Sequence, residues 1–227
     1  MKKMEYKNPT IITGHYGSGK TEFAVNYADM LTEQGEKIVI ADMDIVNAYF
    51  RARRLTDYFK EKDVKLVSSN FAEEYYNDTP ALSAALYECF ENREQKSIID
   101  VGGDPEGALV LARFADLLNE GKYNMWLAVN LNRPCTSTVE KNIDYLNMIE
   151  NASKLKINGL INSTHMLRET RVEDILKGDE AVRSISEHTG CEVVYTAVPE
   201  FIIRELKDIS LAGDLLPVKM LLRPDWI

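Results

Sequence analysis

The chain has 227 residues, of which 45% are hydrophobic and 28% charged, and its formal net charge at pH 7 is −9. This composition is typical of a soluble globular domain, and the negative charge argues against a general nucleic-acid-binding surface. No apolar run reaches the roughly 18 residues of a membrane-spanning helix, and the N-terminal stretch lacks the apolar centre of a signal peptide. We therefore expect one cytoplasmic domain spanning residues 1–227, with no nucleic-acid or membrane partner.

Short apolar runs alternate with helical patterns along the chain. The strand-like runs cover residues 11–12, 37–41, 64–67, 97–101, 125–130, 155–162 and 192–197, and the helical patterns cover residues 20–34, 48–59, 80–92, 109–119, 136–149 and 170–189. This alternation predicts an α/β fold with a mostly parallel central sheet and helices on both faces. Ligands of such sheets bind beyond the carboxyl ends of the strands, so functional residues are expected directly after each run.

The first run leads into a glycine-rich loop, TGHYGSGKTEF, at residues 13–23. From Gly14 to Thr21 the loop matches the phosphate-binding pattern G-x-x-x-x-G-K-[ST], in a strand-loop-helix setting. In this pattern backbone N–H groups surround a phosphate, Lys20 neutralises the β- and γ-phosphate oxygens, and the Thr21 hydroxyl ligates Mg²⁺. The alternative is a glycine-rich turn with an exposed lysine. We expect nucleotide contacts from Gly14, His15, Tyr16, Gly17, Ser18, Gly19, Lys20, Thr21 and Glu22.

Acidic residues follow the second and fourth runs. Asp42 and Asp44 come directly after the second run, and two carboxylates beside a triphosphate require Mg²⁺ or water between them. Asp100 lies in the Walker B stretch SIIDVGGDPEG, where such a carboxylate holds Mg²⁺ directly or through water. We expect Asp42 and Asp100 to support the metal together with Thr21. Asp44 is then the candidate for water activation, and Gly103 for sensing the γ-phosphate; the alternatives are an acidic helix cap and a structural glycine turn.

Two further strand ends are candidates for binding a nucleotide base. Asn162 ends its run in GLINSTH, and Pro199 and Glu200 follow the last run in YTAVPEFI. An asparagine amide can pair with a purine edge through one donor and one acceptor, and a proline turn fixes backbone groups near the ring. We expect these three residues in the base pocket. The alternative for each is an ordinary turn residue.

Together these motifs resemble the MinD/ParA/CobQ/CobB group of P-loop nucleotide-binding proteins. That group belongs to the SIMIBI class, which also contains signal-recognition GTPases and nitrogenase iron protein. The resemblance covers nearly the whole chain, with GHYGSGKT as Walker A, DMD as first switch, DVGG as Walker B and second switch, and LIN with VPE as adenine pocket. It implies a three-layer P-loop NTPase fold, ATP or ADP and Mg²⁺ as cofactors, slow ATP hydrolysis and, in many members, a homodimer.

The chain departs from particular members of this group. His15 stands where the deviant Walker A subgroup carries its signature lysine, so the resemblance does not extend to dimer-activated hydrolysis by that lysine. Cys89, Cys135 and Cys191 are isolated, and the cysteine pair with which nitrogenase iron protein holds its cluster is absent. The C-terminal stretch LLPVKMLLRPDWI lacks the pattern of a basic amphipathic membrane helix, and we expect it to pack against the sheet.

Three functions are compatible with these residues. The first is an ATPase that acts as a nucleotide-driven conformational switch on a partner protein, with Lys20 and Mg²⁺ stabilising the transferred phosphate. The second is a phosphotransferase or ATP-dependent ligase resembling dethiobiotin synthetase, in which Arg133 and Arg51 bind a small carboxylic acid. The third is a nucleotide-binding module with negligible turnover. The sequence identifies neither the partner nor the acid.

Overall fold

A computed structural model describes residues 7–43, 55–68, 84–92, 94–118 and 122–222. Eight strands in these ranges form one sheet: β1 (Thr10–Thr13), β2 (Ile38–Met43), β3 (Lys65–Ser68), β4 (Lys96–Val101), β5 (Asn124–Val129), β6 (Gly159–Asn162), β7 (Glu192–Pro199) and β8 (Asp214–Val218). The strand order is β3-β2-β4-β1-β5-β6-β7-β8, and every neighbouring pair is parallel. The carboxyl ends of all eight strands therefore lie at one edge of the sheet.

The described α-helices are α1 (Lys20–Glu33), α2 (Thr56–Glu61), α3 (Ala84–Glu91), α4 (Pro105–Leu109), α5 (Val139–Ser153) and α6 (Val172–Thr189). Local sequence explains several of their ends. Helix α4 begins after Asp104, whose carboxylate accepts a hydrogen bond from the Gly107 N–H, with proline at its first position. Helix α6 ends at Gly190, which adopts a left-handed conformation with φ 75°. Within the described ranges no helix is long and apolar enough to cross a membrane.

The sheet is buried on both faces because its side chains alternate between two hydrophobic clusters. Ile11 and Met125 pack in the cluster that contains residues of α3, α5 and α6. Their neighbours Ile12 and Trp126 point to the opposite face and pack with residues of α1 and α2. Successive strand residues face opposite sides of a sheet, so near-continuous apolar runs are what a sheet between two helical layers requires. The predicted three-layer α/β fold is confirmed.

Some predicted element boundaries differ from those observed. The predicted helix at residues 109–119 is replaced by α4 and a 3-10 segment, Val110–Phe114. The predicted strand at residues 155–162 begins only at Gly159, because Lys154 ends α5 in a left-handed conformation and the chain must first return to the sheet. Of the predicted helix at residues 48–59, the first seven residues lie outside the described ranges.

Strand β8 was not predicted from the sequence. The C-terminal stretch extends the sheet as an edge strand, paired in parallel with β7 from Tyr195 and Asp214 to Pro199 and Val218. Pro217 lies within this strand, a position that an edge strand tolerates because one of its sides needs no backbone donor. As a result, residues far apart in the sequence meet near the start of α1.

Candidate functional site

The glycine-rich loop connects β1 to α1 at the carboxyl edge of the sheet. Gly17 and Gly19 adopt left-handed conformations with φ 75° and 88°, which glycine reaches without steric cost. Gly19 is the N-cap of α1, so the partial positive charge of the helix N-terminus lies at the loop. Lys20 and Thr21, the first two residues of α1, are 5% and 7% exposed. This arrangement of backbone N–H groups, helix terminus and lysine suits an anionic ligand.

Side chains from two other strand ends hold the loop from outside. The Arg133 Nε donates to the Gly17 carbonyl at 2.8 Å, and the Asn130 Nδ2 donates to the same oxygen at 3.3 Å. The Ser163 Oγ donates to the Ser18 carbonyl at 2.7 Å. Because these carbonyls accept hydrogen bonds from residues that follow β5 and β6, the protein itself holds the backbone of the loop, which lowers the entropy cost of binding a ligand.

The glycines of the loop are required by close packing as well as by their conformation. A Cβ atom on Gly17 would lie 2.7 Å from the Arg133 Nε, and one on Gly19 would lie 2.8 Å from the Ser163 Oγ. A Cβ atom on Gly103 would collide with the Gly14 carbonyl oxygen. Gly103, expected from the sequence to approach a γ-phosphate, thus lies against the backbone of the phosphate loop itself.

Two buried carboxylates adjoin the loop. Asp42 on β2 and Asp100 on β4 are register partners, and Asp100 is also opposite Ile12 of β1, which leads into the loop. Asp42 is 4% exposed and Asp100 1%. Carboxylates and a hydroxyl are hard oxygen ligands of the kind Mg²⁺ prefers, so Asp42, Asp100 and Thr21 fit this ion chemically. The described residues contain no group of three or more His, Cys, Asp or Glu residues that could hold a metal, so nucleotide oxygens and water would complete the coordination.

A cavity of about 400 Å³ extends from the phosphate loop across the ends of β6, β7 and β8. Its described lining residues are Tyr16, Gly17, Gly19, Lys20, Thr21, Glu22, Phe23, Arg133, Ser163, His165, Leu167, Ala197, Pro199, Val218, Met220 and Leu222. The polar residues belong mainly to the loop, the start of α1 and the ends of β5 and β6, whereas the strand ends further along supply apolar side chains. A cavity that is polar at one end and apolar at the other suits a ligand with an anionic group at one end and an aromatic ring at the other.

Not all residues predicted for the base pocket reach this cavity. Pro199 lines it, whereas Glu200 is exposed and is not among the lining residues. Asn162 is fully buried, with its Nδ2 donating to the Ile175 carbonyl at 3.0 Å and its Oδ1 accepting from the Thr164 N–H at 3.2 Å. The Asn162 amide therefore joins β6 to α6 and is not directed at the cavity, because α6 accepts from its Nδ2 and the turn after β6 donates to its Oδ1.

His15 and Asp44 complete the predicted set. The His15 Nδ1 lies 3.1 Å from the Tyr16 carbonyl, and its ring packs edge-on against Tyr145 of α5 with centroids 5.6 Å apart. Asp44, and Arg51 of the ligase alternative, lie outside the described residues. Gly14, His15 and Ser18 belong to the loop without being among the described lining residues of the cavity.

His165 is a cavity residue that the sequence reasoning did not identify. Its Nδ1 accepts a hydrogen bond from the Leu167 N–H at 3.2 Å, so the neutral ring carries its proton on Nε2. A Cβ atom on Gly19 would lie 3.0 Å from this Nε2, which places it beside the phosphate loop. The position three residues after Asn162 was a usable signal, because polar residues after a parallel strand tend to reach the ligand.

No protein-family model matches the chain, and no curated protein matches it. Solved structures match at low sequence identity. The chloroplast FtsY from Physcomitrella patens has 17% identity and a TM-score of 0.58, over 86% of this chain and 60% of that one. FtsY from Mycoplasma mycoides has 19% identity and a TM-score of 0.54, over 83% and 60%. The signal recognition particle receptor FtsY from Elizabethkingia anophelis in complex with GDP has 18% identity and a TM-score of 0.50, over 88% and 59%.

This likeness shows the fold. The chain has the P-loop NTPase fold, with a parallel sheet and helices on both of its faces, and the glycine-rich loop lies between the strand and helix where that fold binds phosphate. The chain spans about 60% of the length of these structures.

Proposed function

We propose that this chain is a Mg²⁺-dependent ATP-binding protein of the SIMIBI class, with slow ATPase activity that drives a conformational switch acting on a partner protein. One observation carries the proposal. The phosphate loop, held in place by Arg133 and Ser163, opens into a cavity whose far end is apolar. A nucleotide has the matching form, a charged polyphosphate at one end and a flat aromatic base at the other.

Each part of the site has a role in this proposal. Backbone N–H groups of the loop and the ammonium of Lys20 bind the phosphates, and Lys20 neutralises charge on the γ-phosphoryl group as it is transferred. Asp42, Asp100 and Thr21 would hold Mg²⁺, and the bound ion would supply positive charge beside the phosphates. Asp44 remains the sequence-based candidate for orienting the attacking water and accepting its proton.

The expectation of adenine rather than guanine comes from the resemblance of the LIN and VPE stretches to an adenine pocket. Guanine presents an N1–H and an amino group, so a selective site supplies acceptors for both. Among the described residues that line the cavity, Glu22 is the one with a carboxylate, and its Oε1 accepts hydrogen bonds from the Leu221 and Leu222 N–H groups. Direct competition between ATP and GTP tests this preference. The test is needed because the FtsY structure from Elizabethkingia anophelis is a complex with GDP.

A switch is favoured over a small-acid ligase by the surroundings of Arg133. In the ligase alternative this guanidinium would bind a carboxylate of the second substrate. In the structure the Arg133 Nε instead donates a hydrogen bond to the Gly17 carbonyl, and this bond stabilises the phosphate loop. A switch also has a physical route, because Gly103 contacts the loop at Gly14 and the following residue, Asp104, is the N-cap of α4. Movement of the loop on γ-phosphate release would therefore reach α4.

The test is calorimetric titration of the wild type with ATP and GTP in the presence of Mg²⁺. We expect ATP to bind, GTP to bind more weakly, and Lys20→Ala to lose ATP binding while keeping its thermal unfolding temperature, because phosphate charge is then left uncompensated. Lys37→Ala, which removes an exposed lysine directly before β2, is the matched control. Unchanged ATP affinity in Lys20→Ala would contradict the proposal.

Dimerisation and a cytoplasmic location belong to the same proposal. The first follows from the resemblance to the MinD/ParA group and the second from the composition of the chain. Gel filtration with light scattering, with and without ATP and Mg²⁺, measures the first. Cell fractionation measures the second.

A further inference from the structure

The last described part of the chain is bound to the first two turns of α1. We call residues 219–222 the C-terminal segment. The carboxylate of Glu22 accepts hydrogen bonds from the Leu221 N–H and, at 3.3 Å, from the Leu222 N–H. The side chain of Asn26 brackets Lys219, because its Nδ2 donates to the Lys219 carbonyl at 3.0 Å and its Oδ1 accepts from the Lys219 N–H at 2.8 Å.

This segment is one wall of the cavity. Met220 and Leu222 line it together with Val218, at the end of the edge strand β8. Asn26 is 4% exposed and does not itself appear among the lining residues. Its contact with the cavity is therefore indirect, through the backbone that carries Met220.

We infer that Glu22 and Asn26 are positioning residues for base recognition, which hold the C-terminal segment as the apolar wall against which the nucleotide base packs. The inference rests on the proposed nucleotide-binding function. Glu22 and Asn26 are four residues apart and so lie on the same face of α1, above one another. Glu22 directly follows Thr21, so the first turn of α1 joins the phosphate site to the base wall.

The physical reason for such a brace is the location of the segment. The segment comes after the edge strand β8, so pairing with a neighbouring strand does not hold it in place. Its backbone N–H groups therefore need acceptors from other parts of the protein. The two side chains supply acceptors for three of these N–H groups, those of residues 219, 221 and 222. An apolar wall fixed in advance binds a base more tightly than one that must be ordered on binding.

The test separates base binding from phosphate binding. Calorimetry measures the affinities of wild type, Asn26→Ala, Glu22→Ala and Met220→Ala for ATP and for inorganic tripolyphosphate, each with Mg²⁺. We expect each variant to bind ATP about tenfold more weakly, and Asn26→Ala and Met220→Ala to keep their tripolyphosphate affinity within about twofold. Glu22→Gln retains an acceptor oxygen and should restore most of the ATP affinity. Glu33→Ala, an exposed change on the last turn of α1, is the matched control.

A double-mutant cycle distinguishes positioning from an independent effect. If Asn26 affects ATP binding only by positioning the C-terminal segment that carries Met220, the two losses of affinity are not additive. The Asn26→Ala/Met220→Ala variant then binds ATP no more weakly than the single variant with the lower ATP affinity. Additive losses, equal losses for ATP and tripolyphosphate, or unchanged ATP affinity in Asn26→Ala would each overturn the inference. If Asn26→Ala does not fold, hydrogen exchange of the wild type decides instead. Slower exchange of the Leu221 and Leu222 amides with ATP bound than with tripolyphosphate bound supports the inference, and equal exchange rates overturn it.

Binding of ATP and tripolyphosphate by the wild type tests the proposed function separately from the inference. A wild type that binds neither ATP nor tripolyphosphate contradicts the proposed function and the inference together. A wild type that binds ATP, with Asn26→Ala indistinguishable from it, contradicts the inference alone.

Discussion

The carbonyl oxygen of Gly14 occupies the space that a side chain on Gly103 would need. Gly14 opens the phosphate loop after β1, and Gly103 follows Asp100 after the neighbouring strand β4. The loops of the two motifs are thus in direct backbone contact. Any ligand that changes the position of one loop must change the surroundings of the other.

This contact predicts the effect of Gly103→Ala. The added methyl group would push the loop away from β4, and we expect a loss of about 1–3 kcal/mol of stability, the usual cost of overpacking, together with weaker ATP binding. Thermal unfolding and calorimetry measure the two effects. Gly190→Ala is the control, because it adds backbone strain at φ 75° where no atom lies within 4 Å of the new Cβ. It should lose stability without losing affinity; equal ATP affinity in both variants would contradict the role of the contact.

Asp100→Asn should uncouple ATP binding from Mg²⁺. The change removes one charge aimed at the metal while the backbone groups of the phosphate loop remain. ATP affinity measured without Mg²⁺ should stay the same or rise, because one negative charge near the phosphates is removed, and the gain on adding Mg²⁺ should be smaller than in the wild type. Asp116→Asn, at an exposed position, is the control and should behave as wild type. The same Mg²⁺ dependence in Asp100→Asn and wild type would exclude Asp100 as a metal ligand.

Asp44→Ala tests the residue predicted to activate water. We expect kcat for ATP hydrolysis to fall by about 10²–10⁴-fold, the usual range for a lost general base, with little change in ATP affinity. Steady-state phosphate release together with calorimetry measures both quantities. His15→Ala is the companion variant, because an imidazole in the phosphate loop can also orient water. Hydrolysis that survives in Asp44→Ala but disappears in His15→Ala, with ATP still bound by both, would transfer the role to His15.

The three cysteines should react at very different rates. Cys135 is exposed, whereas Cys89 and Cys191 are buried. Burial raises the pKa of the Cys89 thiol to about 11 and also raises that of Cys191, so at pH 8 both have less of the thiolate that attacks disulfide reagents. Ellman's reagent should therefore modify one thiol quickly in the native protein and all three in guanidinium chloride. Two or more fast thiols in the native state would contradict the described packing around Cys89 and Cys191.

The phosphate loop illustrates what local sequence can predict. Gly17, Gly19, Lys20 and Thr21 act through their own backbone conformations and through the helix that they start, so a few neighbouring positions contain the whole signal. The alternation of apolar runs likewise predicted the layered fold, because a sheet covered on both faces must be apolar on both. Asn162 shows the limit of this reasoning. Its position at the end of a strand was predicted correctly, but whether its amide faces a ligand or α6 depends on Ile175 and Thr164.

The sequence by itself determined the phosphate loop, the acidic strand ends and the three-layer α/β fold, because these depend on the order of residues within short windows. Only the tertiary structure decided which side chains enclose the cavity. Met220 and Leu222 meet Glu22 and Lys20 across about 200 residues of chain, and they do so because β8 adds to the sheet edge beside β7. Contacts of that kind depend on strand order and on the packing of α1, which no local pattern of residue types records.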